Sequence, residues 1–219
     1  MDTLPPLIVL FFVLKRKKTI SEQCVFIYLI IQFILNSLAN LLNELNLDNL
    51  FLYHLNCYIS INLFAIFFSQ KLTESLSRQI IIIAILIFNT FFFLNLILWE
   101  NPFNSFNSNS LGLGSLFLII FSLLYFTGQL KRPASENLLK SSDFWFVVGI
   151  FTYFTGSFFL FVTYRNLTER FPYNLRYRDG QFPQYFRILW QIHNMLFLLM
   201  CSYFFIGFSC KPSPKKLKL

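Results

Sequence analysis

Six long apolar stretches follow one another along the chain, and they constrain its fold more than any other feature. Each has more than the roughly 20 residues that a helix needs to cross a bilayer. They cover residues 22–45, 50–70, 79–99, 107–130, 144–164 and 185–210. The chain is 56% hydrophobic and only 13% charged, whereas an ordinary soluble domain is about 25% charged. We therefore predict an all-α, polytopic bundle of transmembrane helices and exclude a soluble globular fold.

A seventh apolar stretch, residues 4–14, is shorter. At about 1.5 Å per residue it reaches only about half of the roughly 30 Å hydrocarbon core, and Pro5-Pro6 opens it. It predicts either a tilted seventh span or an N-terminal half-helix. A cleavable signal peptide is the less favoured alternative, because the basic run at 15–18 follows the apolar stretch instead of preceding it. We predict one transmembrane helical domain, residues 1–210, and a disordered basic cytoplasmic tail, residues 211–219.

The basic residues are concentrated on one side of the predicted bundle. Of the 18 Lys and Arg, 13 lie in alternate connections and in the tail, and the other five lie in the connection 165–187. Short basic loops stay in the cytoplasm, so the sequence predicts a cytoplasmic C-terminus in a multi-pass protein of the bacterial inner membrane. We call the side with the 13 basic residues the predicted inner end, and the opposite side the predicted outer end.

Motifs for catalysis and ion coupling are missing from the sequence. The ten acidic residues are all expected in loops or at helix ends, so no carboxylate is predicted deep in the membrane to carry protons. His54 and His193 form no zinc motif, G-x-S-x-G does not occur, and the last span has no Lys for a Schiff base. We expect no catalytic residue, metal or cofactor, and we expect no nucleic-acid partner.

Uncharged polar residues are concentrated in the predicted outer half. Gln32, Asn36 and Asn40 recur every four residues, which places them on one helix face. The predicted polar pocket consists of Gln32, Asn36, Asn40, His54, Asn56, Asn107, Asn109, Gln191, His193 and Asn194. Interhelical hydrogen bonding is the favoured alternative for the Gln32/Asn36/Asn40 stripe and for each His alone, since such bonds are a normal use of polar groups in a bilayer.

Two further patterns concern helix ends and helix packing. Ser108 or Asn109 is expected to cap the fifth span, and the N–H groups there can receive an anion. The sixth span carries Gly149, Thr152, Gly156 and Ser157 at helical spacing. Small residues on one face let two helices approach closely, so we predict close packing at this face.

The connection 165–187 interleaves five Arg with seven Tyr and Phe residues, counting Tyr164 just before it. We predict that Arg170, Arg176, Arg178 and Arg187 bind an anionic ligand, a lipid head group or an acidic partner, because Arg pairs with carboxylate and phosphate and stacks on aromatic rings. Asp179-Gly180 is a turn signal, so this segment is predicted to form a short hairpin or lid. The equally weighted alternative is a rim of arginines that holds outer-leaflet phosphates.

Short motifs in four spans resemble those of a bacterial family. They are Tyr53-His54, residues 106–110, Phe144-Trp145 with residues 154–158, and residues 190–194. Together they look like a group of seven-helix integral membrane proteins, typical of Bacteroidota, that has no established activity. Some members are encoded near sensor kinases, so the resemblance implies signalling and assigns no role to any residue.

The leading functional hypothesis is a sensor or receptor-like module with an outward-facing polar pocket, which passes a signal to a cytoplasmic partner. An accessory subunit of a larger membrane complex is the second hypothesis, and a small-solute carrier is the third. The expected partners are membrane lipids and a protein in the membrane or at the cytoplasmic face. An enzyme is the least favoured class.

Overall fold

The fold is given by a computed structural model, which describes residues 2–72, 74–131, 137–169 and 184–210, without the side chains of 165–169 and 184–187. The described residues form seven α-helices and a short 3₁₀ turn, Leu138–Lys140. The helices are α1 (Leu4–Val13), α2 (Ile20–Glu44), α3 (Leu50–Lys71), α4 (Ser75–Leu98), α5 (Ser108–Lys131), α6 (Ser142–Glu169) and α7 (Gln184–Ser209).

The predicted architecture is confirmed. Helices α2 to α7 are long and apolar enough to cross a membrane, and α1 is a ten-residue apolar half-helix. The chain is therefore a multi-pass membrane protein with six spans and an N-terminal half-helix. The predicted tail, residues 211–219, lies outside the described residues.

Local sequence explains where the first helices begin and end. Pro5 and Pro6 lie in the first turn of α1, where backbone N–H groups have no helical acceptor to lose. Thr19 and Glu22 form a capping box at the start of α2. At its end Asn46 adopts a left-handed conformation, with φ 56°, and the Leu47 N–H donates to the Leu42 carbonyl at 2.8 Å. This helix stop reverses the chain into α3.

Six of the seven helices form a ring. In order around the ring, α1, α2, α3, α5, α6 and α7 each pack against the next, and α7 packs against α1. Helix α4 lies outside the ring against α3 and α5. Since α1 has less than half the length of its neighbours, it separates α2 from α7 along only part of their length.

Aromatic side chains fill the inner half of the ring. Three of them, Tyr28 of α2, Phe64 of α3 and Phe204 of α7, contact one another with ring centroids 4.5, 6.1 and 6.4 Å apart. Each is at most 2% exposed. We call this triangle the aromatic floor, because it closes the centre of the bundle below the polar residues described in the next section.

The small residues of α6 pack against α7, as predicted. A Cβ added at Gly156 would lie 2.7 Å from Leu196 Cδ2, and one at Gly149 would lie 3.0 Å from the Phe204 ring. Ordinary contacts of a Cβ are longer than 3.4 Å, so these glycines allow the two helices to approach.

We expect Gly156→Leu to destabilise the protein by about 1–3 kcal/mol, because an enlarged side chain must push Leu196 and α7 away. Gly128→Leu is the matched control, since a Cβ at Gly128 meets no atom within 4 Å and the gain in helix propensity is the same. Unfolding in mixed detergent micelles measures both variants. Equal stability of the two would show that α6 and α7 tolerate a wider separation.

An ionic cluster ties the helices together at the predicted inner end. Arg16, in the α1–α2 connection, donates to Glu22 Oε1 and to the Cys210 carbonyl, both at 2.9 Å. Lys71 of α3 forms an ion pair with Asp143 of α6 at 2.6 Å, and Ser21 of α2 donates to the same carboxylate at 3.3 Å. These contacts join α2 to α1 and α7 on one side, and to α3 and α6 through Asp143.

Candidate functional site

A polar cavity lies between α2, α3, α6 and α7 at the predicted outer end. Its volume, taken as the space open to the centres of water molecules, is about 70 Å³. One water molecule needs about 10–15 Å³ by the same measure, so the cavity has room for several waters or a small group of a ligand. Its polar lining consists of Asp2, Gln32, Asn36, Asn40, Asn56, Ser60, His193 and Asn194.

Six of the ten residues predicted to form the pocket line this cavity: Gln32, Asn36, Asn40, Asn56, His193 and Asn194. The other four, His54, Asn107, Asn109 and Gln191, do not line it. Gln191 is exposed on α7, outside the cavity. The remaining three lie in two hydrogen-bonded clusters beside the cavity, which are described below.

The side-chain amides between α2 and α3 line the cavity, and they also form hydrogen bonds with each other. Gln32 Nε2 donates to Asn56 Oδ1 and, at 3.2 Å, to Ser60 Oγ. Asn56 Nδ2 donates back to Gln32 Oε1 at 3.2 Å. The interhelical hydrogen bonding predicted as the alternative for this stripe is therefore present, and it fixes the orientation of two cavity-lining amides.

His54 and Asn107 attach the α4–α5 connection to α3. His54 Nε2 lies 3.0 Å from the Ser105 carbonyl, so this nitrogen carries the proton and donates it. Asn107 Nδ2 donates to the Tyr53 carbonyl at 3.1 Å. The interhelical role predicted for His54 alone agrees with this geometry.

Glu100 occupies the N-terminus of α5, where the sequence predicted N–H groups that can receive an anion. Its Oε1 accepts from the Asn109 N–H at 2.9 Å, and its other oxygen accepts from Asn95 Nδ2. Asn109 Nδ2 in turn donates to Asn95 Oδ1 at 3.1 Å. Glu100 is 0% exposed. This helix end therefore accepts an anion, as predicted, and the anion is the carboxylate of Glu100.

A second acidic residue lies within the bundle. Asp2 precedes α1, as predicted, and it also lines the cavity. The Asp2 carbonyl accepts from Asn36 Nδ2 at 3.2 Å, which holds the start of α1 well inside the bundle. Asp2 and Glu100 both lie outside the helices, as predicted, but Asp2 lines the cavity and Glu100 is fully buried, which the sequence did not indicate.

Four aromatic rings form a closed circuit at the outer side of the cavity. Tyr53 contacts Phe106 at 5.7 Å, Phe106 contacts Tyr164 at 4.5 Å, Tyr164 contacts Trp190 at 6.2 Å, and Trp190 contacts Tyr53 at 5.9 Å. We call this circuit the aromatic collar. Sequence reasoning missed it, since its members lie on three helices and one connection.

His193 lies directly inside the collar. Its ring is 4.9 Å from the Trp190 ring and 5.5 Å from the Tyr153 ring. Two buried atoms of adjacent residues, His193 Nδ1 and Asn194 Oδ1, have no hydrogen-bond partner. Buried polar atoms are paired in the large majority of cases, so these two atoms distinguish the α7 wall of the cavity from the self-paired α2–α3 wall.

The predicted arginine site cannot be placed. Arg170, Arg176 and Arg178 lie outside the described residues, and the side chain of Arg187 on α7 is not described. Their role in binding an anion or a partner stays a prediction. Within the described part of the chain, no group of three or more His, Cys, Asp and Glu side chains has the arrangement of a metal site.

The chain matches no family model, no curated protein and no solved structure. The resemblance to a Bacteroidota-type membrane family stays a prediction.

Proposed function

We propose that this protein is a receptor-like membrane module whose cavity binds an uncharged, hydrogen-bonding group of a ligand. The observation that carries the proposal is that His193 and Asn194, which both line the cavity, each have a buried polar atom without a partner, His193 Nδ1 and Asn194 Oδ1. Leaving such an atom unpaired costs about 1–3 kcal/mol, and a ligand hydroxyl or amide would recover this cost once the side chain turns toward it. The self-paired amides of Gln32 and Asn56 supply a preorganised opposite wall.

The aromatic floor favours a receptor over a carrier. Tyr28, Phe64 and Phe204 are fully packed beneath the cavity, so their rings block the centre of the bundle at the level where a transported solute would have to pass. Many carriers build their binding sites from broken helices in two repeated halves, and the described helices show no such pairing.

The inner ionic cluster offers a route to a cytoplasmic partner. Both α2 and α7 line the cavity, and at the predicted inner end Glu22 of α2 and the Cys210 carbonyl after α7 bond to the same side chain, Arg16. If the ligand binds more tightly at one distance between α2 and α7 than at another, binding raises the fraction of molecules that have this distance. The change would reach the α1–α2 connection, where a protein partner is expected.

Binding is tested by thermal unfolding of the protein in lipid nanodiscs with a panel of uncharged compounds: polyols, monosaccharides, small amides and monoacylglycerols. We expect at least one compound to stabilise the parent, by about 2.7 kcal/mol at 100 times its Kd, and to leave Asn194→Leu unaffected. Gln191→Leu is the matched control, because it makes an equivalent change at an exposed position of the same helix. If no compound shows an Asn194-dependent effect, the cavity is a packing feature.

The receptor assignment is tested separately with proteoliposomes. A compound that binds in the unfolding assay should bind to the reconstituted protein without accumulating inside the vesicles, since the aromatic floor blocks the inner half. Accumulation that depends on Asn194 would contradict the receptor assignment and favour the carrier.

A further inference from the structure

The ring of helices is incomplete at the seam between α2 and α7. Helix α1 fills this seam from the predicted inner end, where Phe12 contacts Phe205 of α7 with ring centroids 5.5 Å apart. Its first turn reaches only to the level of Asn36, whose side chain bonds to the Asp2 carbonyl. Beyond Asn36, α2 continues to Glu44, a further rise of about 12 Å at about 1.5 Å per residue.

Among the described helices, none occupies this outer part of the seam. Helix α2 packs against α1, α3 and α6, while α7 packs against α6 and α1, and α2 and α7 share no extensive packing with each other. The gap therefore faces the side of the bundle that lipid surrounds. We call it the lateral opening.

The cavity lies directly behind the lateral opening. Its lining includes Asn36 and Asn40 on the α2 side, and Trp190 and Asn194 on the α7 side. Asn40 is exposed, and Asn194 carries one of the unpartnered buried atoms. Hydrogen-bonding groups at this depth would be costly if they faced only hydrocarbon, so their position at a gap in the helix ring points to a polar occupant.

Aromatic rings cover two other sides of the cavity. The aromatic floor lies beneath it, and the aromatic collar covers it where α3, α6 and α7 reach the predicted outer end. Among the described residues, helix packing is therefore missing on one side of the cavity, at the seam between α2 and α7. A molecule that enters there comes from the outer leaflet of the membrane.

We propose that the ligand is a membrane-resident amphiphile whose uncharged, hydroxyl- or amide-bearing head group enters the cavity through the lateral opening, with its hydrocarbon chain remaining in the bilayer beside α1. This inference rests on the proposed function and names the class of ligand. A phosphate head group fits poorly, because no Lys or Arg of the described chain lines the cavity. Amides and an imidazole are suited to hydroxyl and amide groups, which both donate and accept.

The test uses photoreactive monoacylglycerol as the probe, with the full chain in phosphatidylcholine nanodiscs, and mass spectrometry locates the labelled peptides. We expect labelling of α2 and α7 at the cavity. Asn194→Leu should lower that labelling at least fivefold, while Gln191→Leu should change it less than twofold. Should Asn194→Leu fail to fold, Asn40→Trp narrows the lateral opening at an exposed position and should lower the labelling at least fivefold. Leu41→Trp, at an exposed position of α2 outside the cavity lining, is its control and should change the labelling less than twofold.

Competition separates the possible outcomes. Unlabelled monoacylglycerol should abolish labelling, while the same concentration of free glycerol, or of an anionic lysophosphatidic acid, should leave at least half of it. Equal competition by glycerol would overturn entry from the membrane, and equal competition by the anionic lipid would overturn the uncharged head group.

Equal labelling of the parent and of Asn194→Leu would show that the probe labels only surrounding lipid positions and not the cavity. If water-soluble compounds stabilise the protein in an Asn194-dependent way but monoacylglycerol does not label it, this inference fails while the receptor proposal stands.

Discussion

Replacing Glu22 with alanine is expected to lower the free energy of unfolding by about 3 kcal/mol. Glu22 is 1% exposed, it forms an ion pair with Arg16 at 2.9 Å, and it completes the capping box with Thr19. Removing one partner of a buried ion pair costs about 3–5 kcal/mol, and losing a helix cap costs about 1 kcal/mol. Arg16 remains 24% exposed on its side chain, so water offsets part of this cost.

Two further variants separate the contributions of Glu22. Glu22→Gln keeps an oxygen for the capping box and removes only the charge, so it should cost about half as much. Glu74→Ala is the matched control, because Glu74 is an exposed carboxylate before α4 that makes no capping hydrogen bond. Reversible unfolding in mixed micelles measures all three. Stability losses below about 1 kcal/mol for both Glu22 variants would show that the ionic cluster does not hold α1, α2 and α7 together.

The spans could be predicted because they depend on composition over about 20 residues. Every predicted stretch coincides with a helix to within a few residues at each end. Similarly, the spacing of Gln32 and Asn36 along α2 predicted a common face, and both line the cavity. In each case the sequence carries a local pattern that the helix geometry converts directly into position.

The residues that line the cavity could be predicted only in part. Sequence position gives a residue's depth in the membrane but not the direction in which it points around the helix. His54 and Asn56 have nearly the same depth. Two residues along a helix differ by about 200° in direction, so Asn56 faces the cavity while His54 bonds to the Ser105 carbonyl. Choosing between such neighbours requires knowing which helices lie on each side.

The positions of Asp2 and Glu100 within the bundle show the same limit. Asp2 precedes a short helix, and its depth depends on how far α1 extends between α2 and α7, which no local pattern reports. Glu100 follows α4 in a polar connection, yet the chain folds back so that its N–H donates to the Asn95 carbonyl at 2.8 Å. Asn95 lies five residues earlier, inside an apolar stretch. It is the one residue in the sequence that indicates a buried polar partner for Glu100.

Glu100→Ala is the second substitution expected to have a large effect. It should lower the free energy of unfolding by about 3 kcal/mol. A hydrogen bond to a charged group contributes about 1.5–3 kcal/mol, and Glu100 accepts two of them, from Asn95 and from the backbone of Asn109. The variant also leaves the first turn of α5 without its cap, which loosens the attachment of Phe106 and hence the aromatic collar.

Hydrogen exchange and unfolding together test this account of Glu100. We expect the Asn109 amide to exchange at least tenfold faster in Glu100→Ala, because its acceptor is gone, and to change less in Glu100→Gln, which retains an acceptor oxygen. Glu44→Ala provides the control, since Glu44 is an exposed carboxylate at the same end of the bundle. If the Asn109 amide stays protected in Glu100→Ala, another group caps α5, and the collar does not depend on this carboxylate.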